Sequence, residues 1–363
     1  MDRLPILHEN IRILLERAMA EGVFPGCAVA IGQGADSLFE NAGVGNRQDG
    51  RPVTADTFFD LASLSKALAT TLVILALIKE EKIRLNDYLA DLVDQRLTDD
   101  KRAITLFHLL NHCAGLAAHR SFYTILEELE PQERPAEMLR LVLSEPLVAR
   151  PGSRDIYSDL GFIILGSLIE RCSGLTLEEA VRHYVLAPLG LADRLLYNPR
   201  RRGIKDIAAG QLCPWRQRVL VGEVDDQNTW IMGGVSGQAG LFGRATDVFY
   251  MVRQLSKIAA GEEKHPYLDA DLLRSAMTRQ GLVSASSWGL GFDTPSAGAS
   301  SAGRFISPHS FGHLGFTGTS FWHDFDRDIT VVLLTNRIHP SVENNKIKAF
   351  RPAFHDLVFQ SLA

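Results

Sequence analysis

The stretch FFDLASLSKALATTLVILAL, residues 58–77, limits the possible folds more than any other part of the chain. From Ala67 to Ile78 only Thr70 and Thr71 are polar, and neither Gly nor Pro interrupts the run. This pattern predicts a helix apolar on nearly all sides, which has to be buried inside a large domain. Asp60 or Ser63 supplies the start signal, since either side chain can accept from the free N–H groups of a first turn. A run of this length spans about 18 Å against the roughly 30 Å of a bilayer core, so it does not cross a membrane. On such a helix Ser63 and Lys66, three apart, share a face, while Ser65 points away from both.

A lysine at the start of a buried helix lies near the positive end of the helix dipole, and burial disfavours its charge further. Both effects lower its pKa. To take a proton from a serine near neutral pH, the amine has to fall by about 3 units from ~10.4, on the order of 4 kcal/mol of environmental bias. Ser63 is then the candidate nucleophile, and its own N–H, at a helix start, is one donor of an oxyanion hole. Ser-x-x-Lys alone is weak, because a chain of this size contains it about once by chance.

The chain has 363 residues, enough for two domains with a large core. With 22% charged and 46% hydrophobic residues and a net charge of −5, it carries neither a nucleic-acid footprint nor a polybasic membrane patch. The basic run YNPRRRGIKD, 197–206, is short and isolated, and reads as a solvated loop. The N-terminal segment has no basic start before a long apolar core, so no signal peptide is expected and the default location is the cytoplasm. It reads instead as an amphipathic helix with Leu7, Ile11, Leu14, Leu15 and Ala18 on one face, ended by Gly22, Pro25 and Gly26. Cys27, Cys113, Cys172 and Cys213 are far apart and form no Cys-x-x-Cys, so reduced thiols are expected and zinc spacing is absent.

Two strands with a turn around Gln33–Asp36 follow the first helix. From about 80 to 280 the pattern is mainly helical, with segments near 104–112, 122–131, 135–145, 159–173, 176–187 and 245–260. WGLGFDT, FGHLGFTGTSFWHDF and DITVVLLTNR then read as antiparallel strands, and a closing helix spans about 341–361. The expected fold is α+β. Residues 1–80 and 281–363 form a sheet domain with the two terminal helices, and residues 81–280 form an inserted, mainly helical domain.

Two further patterns bear on Ser63. PGSRDIYSDLGFIILGSLIE, 151–170, places Tyr157-Ser158-Asp159 at the mouth of an apolar helix, and FGHLGFTGTSFW places His313-Leu314-Gly315 on a strand beside a Gly-rich turn. There a small residue lets a substrate backbone come close. With Ser63-Leu64-Ser65-Lys66, these residues resemble the serine β-lactamase and penicillin-binding-protein superfamily, in its class C β-lactamase and esterase branch. The order and spacing of all three motifs agree. ITLFHLLNHCAGL, GGVSGQAGLF and VVLLTNR look like the same family, and the resemblance covers nearly the whole chain.

The resemblance implies a β-lactamase/DD-peptidase-like fold and a serine hydrolase with neither cofactor nor metal, acting on a small acyl compound. Ser63 attacks a carbonyl, Lys66 and Tyr157 share the general-base duty, and the N–H groups of Ser63 and Phe316 form the oxyanion hole. Asp159, His313 and Gly315 line the substrate site. A phenol beside an ammonium ion is driven toward phenolate, and either Lys66 or Tyr157 can accept the serine proton. His313 either orients the Tyr157 hydroxyl or binds a substrate carboxylate, the latter weakly if neutral.

Two positions depart from the β-lactamase pattern. Asp159 stands where the pattern has asparagine; it only accepts hydrogen bonds, and pairing with Lys66 would raise the lysine's pKa and shift the base role to Tyr157. His313 stands where a lysine would attract a penicillin carboxylate. An esterase or peptidase therefore fits better than efficient antibiotic hydrolysis. The alternative is a binding or sensing protein that acylates without turnover, because deacylation needs a positioned water that no motif reports. His108 and His112, four apart, suit one metal only if a third ligand exists, and packing near the site is the simpler reading. GGVSGQAGLFG lacks nucleotide-cradle spacing and reads as a loop bordering the site. VLVGEVDDQNTW lacks a calcium-loop pattern and reads as a solvated face.

Overall fold

The structure, a computed structural model, describes residues 3–94 and 97–363. The strand Ile329–Thr335 is buried along its whole length and forms the centre of a five-stranded antiparallel sheet. On one side it pairs with Gly26–Gln33, in the register Ala30 opposite Val332, and that strand pairs with Asp36–Gly43 at the edge. On the other side it pairs with Ser320–Asp324, which pairs with Ser310–Leu314 at the opposite edge. Both termini thus feed one sheet, as an α+β fold requires. Alternation along the strands sends Val29, Ile31, Val331, Leu333 and Trp322 to one face and Ala28, Ala30, Val332, Leu334 and Phe321 to the other.

The first face is covered by the terminal helices Arg3–Ala20 and Ile347–Ser361, through Leu7, Ile11, Leu15, Phe350, Phe354 and Val358. The second face joins the larger core, which runs without interruption into the helical middle, from Leu72 and Leu75 to Phe162, Leu165 and Val142. The helix Ala245–Ala259, inside the span expected to form the helical insert, lies across this face of the sheet. Among the described residues no single helix is long and apolar enough to cross a membrane.

The expected helices at 135–145, 159–173 and 245–260 appear as Arg134–Ser144, Asp159–Ser173 and Ala245–Ala259. The closing helix begins later than its pattern suggests, at Ile347. WGLGFDT does not form a strand. It makes only isolated bridges, Trp288 to Asp293 and Asp293 to Gly312, because Gly291 takes a left-handed φ of 70° that breaks an extended run. The middle also holds β structure that helical periodicity did not reveal: the hairpin Ala209–Cys213 with Arg218–Val221, and Leu241–Gly243 between the short strands Phe59–Asp60 and Leu196–Tyr197.

Candidate active site

The helix carrying Lys66 starts at a strained corner. Ala62, just before Ser63, has φ 48°, a left-handed conformation that costs a non-glycine residue on the order of 1 kcal/mol or more. Asp60 holds the corner by accepting from the Ala62 N–H at 2.8 Å, before the helix begins, so neither Asp60 nor Ser63 caps the first turn as expected, and the Ser63 hydroxyl is left for other work. Residues Lys66–Thr71 form a widened π turn before the α-helix Leu72–Lys79. This turn directs Lys66 Nζ to the Gln238 carbonyl at 2.9 Å and Thr70 Oγ1 to the Gly237 carbonyl at 2.7 Å. GGVSGQAGLF therefore borders the site. Gly237 is required there because a Cβ would stand 1.9 Å from the Phe162 carbonyl oxygen.

Lys66 Nζ is fully buried, 3.1 Å from Ser63 Oγ and 2.7 Å from Asp159 Oδ1, and it lies 5.0 Å from the centre of the Tyr157 ring. The Tyr157 hydroxyl interacts with both Ser63 and Lys66. Burial is the largest influence on the lysine and pulls its charge down, but Asp159 and Tyr157 together outweigh it and hold the ammonium well above its ordinary range. Burial also pushes the Tyr157 phenol up; Lys66 opposes this and Asp159 reinforces it. The low-pKa amine is thus corrected by Asp159 with Tyr157, and the resting phenolate chiefly by burial, with Asp159 adding to it. The Asp159 carboxylate neutralises the ammonium that would otherwise stabilise the phenolate. Asp159 itself is pushed up by burial but held below the carboxylate range overall by Lys66 and His119.

His313 is buried, and its Nδ1 donates to the Leu314 carbonyl at 2.8 Å, so the unprotonated Nε2 is the free nitrogen, with no protein partner. Burial, then the Lys66 charge, pushes this imidazole down to about 3. Gly315 is needed for packing more than for substrate approach: a Cβ there would stand 2.0 Å from Thr319 Oγ1 and 2.9 Å from the Leu61 carbonyl. Arg351 secures this turn by donating to the carbonyls of Gly315 at 2.7 Å and Thr319 at 2.8 Å. Among the described residues neither the Ser63 nor the Phe316 N–H finds a protein acceptor.

Two cavities meet at Ser63, Tyr157 and Phe316. One, about 390 Å³, is lined by Asp60, His119, Asp159, Asp225, Asp226 and Gln238. The other, about 320 Å³, is lined by Trp288, Asp293, His313, Gly315, Arg337 and Arg351. All the residues singled out by motif lie on these walls, except Lys66, which is buried beneath them.

Sequence reasoning missed several wall residues. Asp225 and Asp226 belong to the run read as a solvated face, yet Asp225 is buried and both line the first cavity. His112 and His108 do not converge on a metal. His108 Nδ1 accepts from the Thr105 N–H at its helix start, whereas His112 accepts from the Ser158 N–H at 3.1 Å and packs 4.7 Å from Tyr157 and 4.4 Å from Trp288. Nothing in the local pattern distinguished Trp288.

Residues 11–351 match the β-lactamase family model, and the chain belongs to that family. A Salmonella agona protein named "Putative D-alanyl-D-alanine carboxypeptidase" is 31% identical, over 81% of this chain and 72% of its own length. Its Salmonella typhimurium counterpart is 30% identical with the same coverage. Among solved structures, EstCE1, described as a hydrolase with promiscuous acyltransferase activity, has a TM-score of 0.76 at 22% identity and covers 97% of this chain and 98% of its own. The octameric penicillin-binding protein homologue from Pyrococcus abyssi has a TM-score of 0.70 at 22% identity, covering 90% and 73%. These likenesses show the fold. The protein is a serine hydrolase of the β-lactamase-related kind.

Proposed function

We propose that the protein hydrolyses small esters or amides through an acyl-enzyme at Ser63, with Tyr157 as the proton acceptor and Lys66 as its charged partner. The observation that carries this reading is the 2.7 Å pairing of Lys66 with Asp159 beside a Ser63 hydroxyl at 3.1 Å. A lysine kept as ammonium has no lone pair with which to accept a proton, so the task falls to the phenol, once ionised. Ser63 Oγ bonds the carbonyl carbon as its proton passes to Tyr157. The free N–H groups of Ser63 and Phe316 receive the oxyanion. Its collapse releases the leaving group, which takes the proton from Tyr157, and water completes the cycle by the same route in reverse. His313 does not attract a carboxylate in this reading, because its free nitrogen is a neutral acceptor.

Intact-mass spectrometry with a fluorophosphonate, a penicillin and a p-nitrophenyl ester, followed by p-nitrophenol release over time, tests the proposal. A Ser63 adduct with continuing ester turnover is the expected result. A burst without turnover would make the protein an acylating sensor, and no adduct with any probe would remove Ser63 as nucleophile.

A further inference from the structure

The 390 Å³ cavity is acidic on a scale that the acyl-transfer chemistry does not need. Asp226 Oδ1 accepts from the Thr229 N–H at 2.7 Å and from Gln238 Nε2 at 3.1 Å, and Asp225 Oδ1 accepts from Gln211 Nε2 at 2.8 Å. Among the described residues no protein donor reaches the second oxygen of either carboxylate, although Asp225 is only 6% exposed. The groups nearby that carry or gain positive charge are already paired, His119 among them: its Nδ1 donates to Asp159 Oδ2 at 3.2 Å, and that bond pushes the imidazole up. Lys66 is bound to Asp159, and the Arg216 guanidinium donates to the carbonyls of Val224 at 2.9 Å and Asp225 at 2.8 Å. With too little positive charge opposite them, burial pushes Asp60 up to about 7 and Asp225 up to about 6.

The geometry is suited to a small cation. Carboxylate oxygens of Asp159 and Asp226 and a ring nitrogen of His119 all lie within 4.8 Å of one another. Some point lies within about 2.8 Å of all three such atoms, within reach of charge-assisted N–H···O bonds. An ammonium placed there donates to Asp226 and Asp159, not to His119, whose Nδ1 is itself a donor to Asp159. A divalent metal would have to share Asp159 with the Lys66 ammonium, a stronger like-charge conflict.

We propose that this compartment receives a protonated amine of the substrate, held by Asp159 and Asp226 with Asp225 behind them, so that the natural esters or amides carry an ammonium group near the scissile carbonyl. The inference rests on the hydrolase reading above, and its test separates the two. Three matched pairs differ only by an ammonium replacing a methyl: p-nitrophenyl esters of alanine and isobutyric acid, those of 4-aminobutanoic and pentanoic acid, and 2-aminoethyl against propyl acetate. At low salt the ammonium member of at least one pair should have kcat/KM higher by ~10-fold or more, and Asp226→Asn should reduce that ratio at least ~5-fold. Equal or better use of the neutral member in all three pairs, or a ratio unchanged by Asp226→Asn, would overturn the proposal. If no ester is turned over, the hydrolase reading fails instead, and ligand-observed NMR with benzylamine judges the compartment directly. Binding that is lost in Asp226→Asn supports an amine site; no binding, or equal binding to the variant, removes it.

Discussion

The two compartments on either side of Ser63 are similar in size, about 390 and 320 Å³, and opposite in charge. On the Asp159 side the carboxylates of Asp60, Asp225 and Asp226 take backbone or amide donors, and among the described residues Asp225 and Asp226 each keep one oxygen without a protein donor. On the His313 side the cations are used to hold main chain. Arg351 binds the carbonyls of Gly315 and Thr319, and Arg337 binds those of Phe316, Val342 and Asn344. Carbonyls orient a guanidinium without neutralising it, so this side remains positive. Ser63 lies between an acidic wall and a basic one, an arrangement suited to order a substrate with unlike ends along one direction. Polarity distinguishes the two halves of the cleft more than volume does.

The largest effect expected is at Ser63, one of the three residues both compartments share. Ser63→Ala should abolish fluorophosphonate labelling in an intact-mass assay; a persisting adduct would move the nucleophile elsewhere and dissolve the division around it. Tyr157→Phe should slow acylation by at least ~100-fold, the lower size of a general-base effect, and a rate close to the parent's would return the base role to Lys66.

The pH dependence follows from the same residues. Because the phenol lies above its ordinary range, the base is mostly protonated near neutrality and appears as pH rises, so ester acylation should climb toward tenfold per unit from pH 7 to 9. A flat profile there would contradict Tyr157 as the base. His313, at about 3, should contribute no limb above pH 5. Asp159→Asn removes the closest carboxylate from Lys66, lowering the amine's pKa, and the ammonium left without its counter-ion stabilises the phenolate more. Its acylation profile should shift to lower pH, with a weaker preference for cationic esters; an unmoved profile would mean that Asp159 does not govern the lysine. The smallest effect is expected on the basic side. Lys348, exposed, should contribute only about two- to five-fold, so Lys348→Gln should slow a succinyl ester by that much at low salt and lose the effect at high salt.

Much of this cleft was legible beforehand because its parts are local. Ser63 and Lys66 meet through one helical turn, and Asp159 begins a helix whose apolar pattern is unmistakable. The His313 strand and its glycine turn follow from alternation and composition. The possible pairing of Asp159 with Lys66 was readable as chemistry, since a carboxylate replaces an amide, but its distance was not. His112 was expected to pack near the site and does so, but spacing alone does not say that its ring accepts from Ser158 and packs against Tyr157.

The sequence by itself determined the helix order, the α+β class and the three motifs that meet at Ser63, because periodicity and short-range spacing are properties of neighbouring residues. Only the tertiary structure decided the character of the cleft. Asp60 and Asp225 lie 165 positions apart, yet the carboxylate of one accepts from the N–H of the other. Burial and proximity, which set whether an acid is a solvated charge or the wall of a binding site, exist only after distant segments pack together.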